Sequence, residues 1–165
     1  MILNASTINL VITLVFTGLT AGLCFTWGNA VTPGIGQLSD KGFLEAFQQM
    51  NRAIINPTFA LVFFGPFFGH LINVYLHRGN DKTFWLFTAA AVIYILGLVL
   101  VTVFKNVPLN EILDKTDLLT ASGEELKLLR DKFERPWLRW HHLRTITTIA
   151  SFTLTILGLL SKYTP

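Results

Sequence analysis

The sequence predicts an all-α, four-span integral membrane protein: a transmembrane helical bundle with interfacial amphipathic helices in the 1–2 and 3–4 connections. Three observations predict it. The 165 residues are 52% hydrophobic and only 14% charged, against about 25% charged in soluble domains. Mean hydropathy is +0.52. Four apolar runs hold about 20 residues each, and such a helix is roughly 30 Å long, the thickness of the hydrocarbon core. The length suits a single domain, residues 1–165.

The first span covers residues 6–28. The stretch Met1 to Ser6 has no Lys or Arg, so the basic region of a signal peptide is missing and the span reads as retained. Cys24, the one cysteine, reads as a small packed residue and can form no intrachain disulfide. Thr32-Pro33-Gly34-Ile35-Gly36 breaks the run. Phe43, Phe47, Met50 and Ile54 then recur at helical spacing, which predicts an interfacial helix over 40–54.

Asn56 as cap and Pro57 at the first helical position open the second span, 57–77. A tight polar turn, His77 to Lys82, leads to the third span, 83–105. In the long connection that follows, Ser122 and Glu125 form a capping box. Leu126, Leu129, Phe133, Trp137 and Trp140 mark an amphipathic helix, bent or restarted at Pro136. The fourth span covers 142–161. Gly18 with Gly22, and Gly65 with Gly69, predict close helix approach.

The net charge of +3 is too small to suggest nucleic acid as a partner. Basic residues gather instead beside the spans. The long connections carry Lys41, Arg52, Lys105, Lys115, Arg130 and Arg144 among others, whereas the other face carries Arg78, Lys82 and Lys162. The positive-inside rule then places the long connections in the cytoplasm and both termini outside, in the cell (inner) membrane.

With antiparallel spans, one face collects Trp27, Asn29, Asn51, Arg52, Asn56, Asn106, Asn110, Glu111, Trp137, Trp140, His141, His142 and Arg144. Asn106 and Asn110 are four apart and share a helix side, unless Pro108 makes this a polar turn. Trp140 and Arg144 are also four apart. His142 lies two residues from Arg144, roughly 200° around a helix, so both point inward only if the helix begins there. The plain alternative is an interfacial belt, with Trp at the headgroups, Arg snorkelling and the asparagines capping helix ends. Taken jointly, Arg52 and Arg144 beside short amides predict a cationic pocket for a ligand with an apolar ring body and an acidic or carbonyl edge.

His70 lies deep in the second span and is a functional candidate by default. Its alternative is a neutral ring bonded to a neighbouring Thr or carbonyl. No metal site is expected, because the spans hold no Cys cluster, His-x-x-x-His or acidic cluster. A haem held by two histidines needs them at one depth on two helices, and His70 lies roughly 20 Å from His141 and His142. A haem with a single His ligand stays open. Phosphate-loop, dinucleotide and nucleophile-elbow motifs are absent.

Four strings resemble the anthrone oxygenase-like membrane family. They are the first span ending in Trp27 with Pro33-Gly34, Met50-Asn51-Arg52-Ala53-Ile54-Ile55-Asn56-Pro57, Asn106-Val107-Pro108-Leu109-Asn110, and Trp140-His141-His142-Leu143-Arg144-Thr145. The resemblance covers most of the chain and implies a four-helix membrane fold and oxidation of anthrones to anthraquinones. Many relatives would carry Asn at His141, which makes His142 the better position to carry over. An anthrone has an acidic methylene opposite a carbonyl, and its anion can react with O₂ directly, so no cofactor is expected to be obligatory. The resemblance then implies His142 as base, Arg144, Arg52, Asn106 and Asn110 as anion-stabilising donors, and Trp140 as a ring wall. Trp27, Asn51, Asn56 and His141 would complete the ligand site. The partners would be a hydrophobic aromatic small molecule, O₂ and the bilayer, and a homo-oligomer stays open. Another reading is a non-enzymatic module that binds a lipid, quinone or haem. Permeation would need polar residues through the whole depth, and only His70 and scattered Thr provide any.

Overall fold

A computed structural model describes residues 4–79 and 81–163 of the chain. Residues 1–3 of the N-terminal stretch read above, and Asn80 of the polar turn, lie outside the described residues. Five helices account for nearly all of the rest. They are α1 (Ala5–Ile35), α2 (Asp40–Ile54), α3 (Pro57–Leu76), α4 (Lys82–Lys115) and α5 (Gly123–Tyr163). Among them α1, α3, α4 and α5 are long and apolar enough to cross a membrane. Their outward faces carry exposed Leu19, Leu61, Phe68, Leu96, Phe104 and Ile146. Contiguous apolar surface of this kind is stable in hydrocarbon rather than water. The chain is an integral membrane protein.

Local chemistry starts these helices. Asn4 accepts the Thr7 N–H at 2.9 Å, and Ser39 accepts the Gly42 N–H at 3.2 Å. Asn56 accepts the Phe59 N–H at 2.9 Å, with Pro57 beside it where a missing N–H costs nothing. Ser122 and Glu125 exchange their bonds as a capping box. Gly79, at φ 92°, turns the chain between α3 and α4.

Four expectations change. The run at Pro33 widens the helix before it breaks: residues Trp27–Val31 form a π turn and the helix continues to Ile35. Pro108 likewise follows a π segment, Thr102–Asn106. A proline ring collides with the carbonyl four residues back, and a wider turn relieves that collision. At Pro136 no restart occurs, because α5 runs unbroken from Gly123. Of the paired glycines, Gly69 lies directly against Thr13, whereas Gly22 faces open space.

The spans form a ring in the order α1, α3, α4, α5, with α5 returning to α1. Heptad-like spacing of three and four residues points one stripe of each inward. On α1 the stripe is polar: Thr13, Thr17 and Thr20 are buried, and Asn9 donates to Asn73 at 2.8 Å. His70, Ser151 and Tyr94 complete the middle layer. The His70 Nε2 lies 3.2 Å from Thr17 and 3.4 Å from Ser151. Thr20 gives its hydroxyl proton to the Val62 carbonyl at 2.9 Å, the acceptor that Pro66 cannot use. Small hydroxyls and amides of this kind hold membrane helices together where apolar burial offers no gain.

At one end of the ring, α2 folds back over the bundle. It buries Phe43, Leu44 and Phe47 against Phe133 and Trp137 of α5 and Leu113 of α4. The Phe47 ring meets Phe133 at 4.8 Å and Trp137 at 4.7 Å, both edge to face.

Candidate functional site

Beneath this aromatic lid lies a cavity of about 80 Å³. α1 supplies Trp27 at the start of its π turn, and α2 supplies Asn51 from its last turns. α5 supplies Trp137, His141 and Arg144, which recur on one helix face. Leu23, Ile54 and Phe59 form an apolar side wall.

Arg144 organises the polar wall. Its Nη1 donates to Thr102 Oγ1 at 3.1 Å, and its Nη2 bonds His141 Nδ1 at 2.9 Å. A guanidinium only donates, so Nδ1 must be the acceptor. The imidazole is then neutral and carries its proton on Nε2, which donates to the Cys24 carbonyl at 2.9 Å. Trp137 stacks on His141 at 4.9 Å and 12°, and the guanidinium carbon lies 5.3 Å from the Trp137 ring centre. Trp137 is itself clamped from α4: its Nε1 donates to Asn110 Oδ1 at 2.7 Å, and its carbonyl accepts from Asn106 Nδ2 at 3.2 Å.

Three donors on this cavity are buried without a partner: Trp27 Nε1, Asn51 Nδ2 and Arg144 Nε. The Arg144 side chain is buried, and its bonded partners, Thr102 and His141, are both neutral. No acidic side chain lines the cavity. An orphaned buried donor costs roughly 1–3 kcal/mol, and a charged one more. An oxyanion or a polarised carbonyl is the kind of group that would satisfy such donors.

The structure brings together Trp27, Asn51, His141 and Arg144 of the expected residues and separates the others. Arg52, expected in the pocket, points outward and pairs with Asp114 at 2.6 Å, with its side chain half exposed. Asn56 is spent as the cap of α3. Asn106 and Asn110 do not line the cavity; they position Trp137. Trp140 is only partly buried and sits outside, with the Lys105 Nζ 5.2 Å from its ring centre. His142, expected to face inward as base, is exposed. The reason is angular: residues three and four apart share a helix face, so Trp137 and Arg144 carry His141 inward and turn His142 out. Thr102 and the Cys24 carbonyl were not expected as site components, and Trp137, expected mainly in an interfacial belt, lines the cavity. The 137, 141, 144, 148 spacing is the signal that puts Trp137, His141 and Arg144 on one face, just as the 13, 17, 20 spacing finds the polar stripe of α1.

His70, the deep candidate, is fully buried between Thr17 and Ser151, with its ring 5.1 Å from Tyr94. Among the described residues, no three His, Cys, Asp or Glu side chains gather as a metal site would need.

Bundle and cavity together define a class: an α-helical integral membrane protein with a donor-lined cavity under one end of its spans. Over residues 43–154 the sequence matches the anthrone oxygenase family, and the chain belongs to that family. The matched stretch carries Asn51, Trp137, His141 and Arg144, while Trp27 precedes it. Comparison with curated proteins and with solved structures returned no match.

Proposed function

We propose that the cavity binds the oxygen-bearing edge of a phenolic or anthrone-like aromatic, stabilises its anion and commits it to reaction with O₂. One observation carries this reading: three buried, unpaired donors on residues that line one cavity, one of them in a guanidinium with no acidic side chain in the cavity wall. Membership of the anthrone oxygenase family supports the substrate class and the reaction.

The chemistry balances with this chain's own groups. A base takes one methylene proton, and the electron pair of that C–H bond delocalises toward the ring carbonyl. The oxyanion so formed would accept from Arg144, Asn51 and Trp27. Drawing the guanidinium toward the ligand would release His141 Nδ1, which then becomes the free acceptor for that proton. The anion reduces O₂ and forms a C–O bond. Loss of the second methylene proton with cleavage of the O–O bond leaves a new carbonyl and one water. The cavity would lie at the cytoplasmic end of the spans; the basic residues beside them support that side.

Arg144→Gln tests this reading. In reconstituted membranes supplied with an anthrone, O₂ uptake should fall by about 100- to 1,000-fold, the usual loss for one oxyanion donor. Unchanged uptake in a folded variant would end the proposal. Tight binding of the aromatic without O₂ uptake by the wild type would assign the cavity to a non-enzymatic binder.

A further inference from the structure

The cavity is small. Its 80 Å³ compares with about 300–1,000 Å³ for sites that enclose a drug-sized ligand. It can seat the polar edge of a fused-ring molecule, not its body. The aqueous end is shut by Trp27, Phe47 and Trp137, whose rings lie 4.7 to 6.3 Å apart. The α1–α3 side is different. There Leu23, Ile54 and Phe59 belong both to the cavity wall and to an apolar groove of about 590 Å³ on the outer surface. Leu19 and Val62 extend that groove along the two spans, and Leu19 is 52% exposed. A second groove of similar size shares Leu19 and runs past Val15 and Phe152, and no polar side chain lines it, as in an ordinary lipid-facing furrow.

We infer that the substrate reaches the donors from the bilayer, through the gap between α1 and α3, and keeps its apolar body in the Leu19–Val62 groove while bound. This rests on the oxyanion-seat reading and adds its route and its ligand class: a membrane-dissolved aromatic with one ionisable oxygen at its edge. The occupant follows from continuity and size. The groove provides the volume that the cavity lacks, and it shares Leu23, Ile54 and Phe59 with the cavity that the donor residues line. Ile54, at the end of α2, forms the lip between the two.

Nanodiscs loaded with a monohydroxyanthraquinone supply the test, because the dye's visible absorption distinguishes phenol from phenolate. Its sulfonated analogue, confined to water, is the second probe. Wild type should bind the lipophilic dye as phenolate, and Arg144→Gln should lose that spectrum. Thr58→Trp and Val62→Trp, at positions that line only this groove and made singly so that one folded variant suffices, should each weaken binding at least tenfold. Val15→Trp, in the furrow without donors, should leave binding unchanged. The sulfonated dye should bind at least tenfold more weakly than the lipophilic one. If both groove variants bind as wild type does, or the sulfonated dye binds equally well, the lateral route is wrong while the oxyanion seat stands. If wild type binds no dye, or Arg144→Gln binds it unchanged, both readings fall.

Discussion

At the residue scale, the site turns on which of two adjacent histidines faces in. His141 is buried, neutral and held between Arg144 and the Cys24 carbonyl, while His142 is exposed. His141→Ala removes the acceptor on Arg144 and the stacking partner of Trp137. O₂ uptake with an anthrone should drop by about 100-fold or more, within the range for a general base. His142→Ala should stay within about twofold of wild type. The reverse ranking would show that the helix face has been read wrongly. His77 offers a pH test at the other end of the bundle. Its Nδ1 donates to the Asn73 carbonyl at 2.8 Å, and its Nε2 lies 3.3 Å from the Ser6 hydroxyl, which accepts from Lys162 at 3.1 Å. Burial holds its pKa below the usual histidine value; the Asn73 bond opposes this and the Lys162 charge adds to it. A histidine depressed by folding contributes stability that is complete above its unfolded pKa, near 6.5, and is lost as pH falls below it. The melting temperature should therefore decline between pH 7.5 and 5.5. His77→Gln should flatten that decline, and an identical slope would remove His77 as its source.

At the element scale, Arg130 ties the lid to the bundle. Its Nη2 donates to Gly36 O at 2.8 Å, and its Nη1 donates to Leu38 O at 3.0 Å and Asp40 at 3.1 Å. Its Nε pairs with Glu134 at 2.7 Å. Its guanidinium also covers the Phe43 ring at 4.4 Å. The side chain is only 16% exposed, so these bonds are poorly replaced by water. Hydrogen bonds to charged groups contribute about 1.5–3 kcal/mol each. Arg130→Ala should therefore free the segment 36–54, seen as faster proteolytic cutting there with the spans still protected. Equal cutting rates would show that the aromatic cluster holds the lid alone. The π turns belong to this scale too. Two of the π segments sit where α1 and α4 deliver Trp27 and Asn106, shortly ahead of a proline, and they rotate those residues relative to a regular helix.

At the scale of the molecule, the ring of four spans requires the α1–α2 and α4–α5 connections to share one membrane face and the α3–α4 turn to lie on the other. Single cysteines at Gln37 and Glu124, placed in a Cys24→Ser background, should react with an impermeant reagent from the same side. One at Arg78 should react from the opposite side. With basic residues concentrated in the long connections, Gln37 and Glu124 are expected on the cytoplasmic side. Reaction of Arg78 and Glu124 positions from one side would contradict the four-span arrangement.

Much of this was legible in the chain because it depends on neighbours in sequence. Span number follows from runs of about 20 apolar residues. Helix starts at Asn56 and Ser122 follow from a side chain reaching an N–H three residues on. What the tertiary structure decided was which polar residues meet. Arg52 and Asn51 are adjacent, yet one pairs with Asp114 outside and the other lines the cavity. His141 and His142 are equally adjacent and equally divided. The choice depends on the rotation of each helix about its axis. That rotation is set by packing against the other spans, through contacts such as Gly69 on Thr13 and Phe47 on Trp137. Asn106 and Asn110 illustrate the same limit: the chain marks them as a pair on one helix side, and only the position of α5 makes Trp137 their partner.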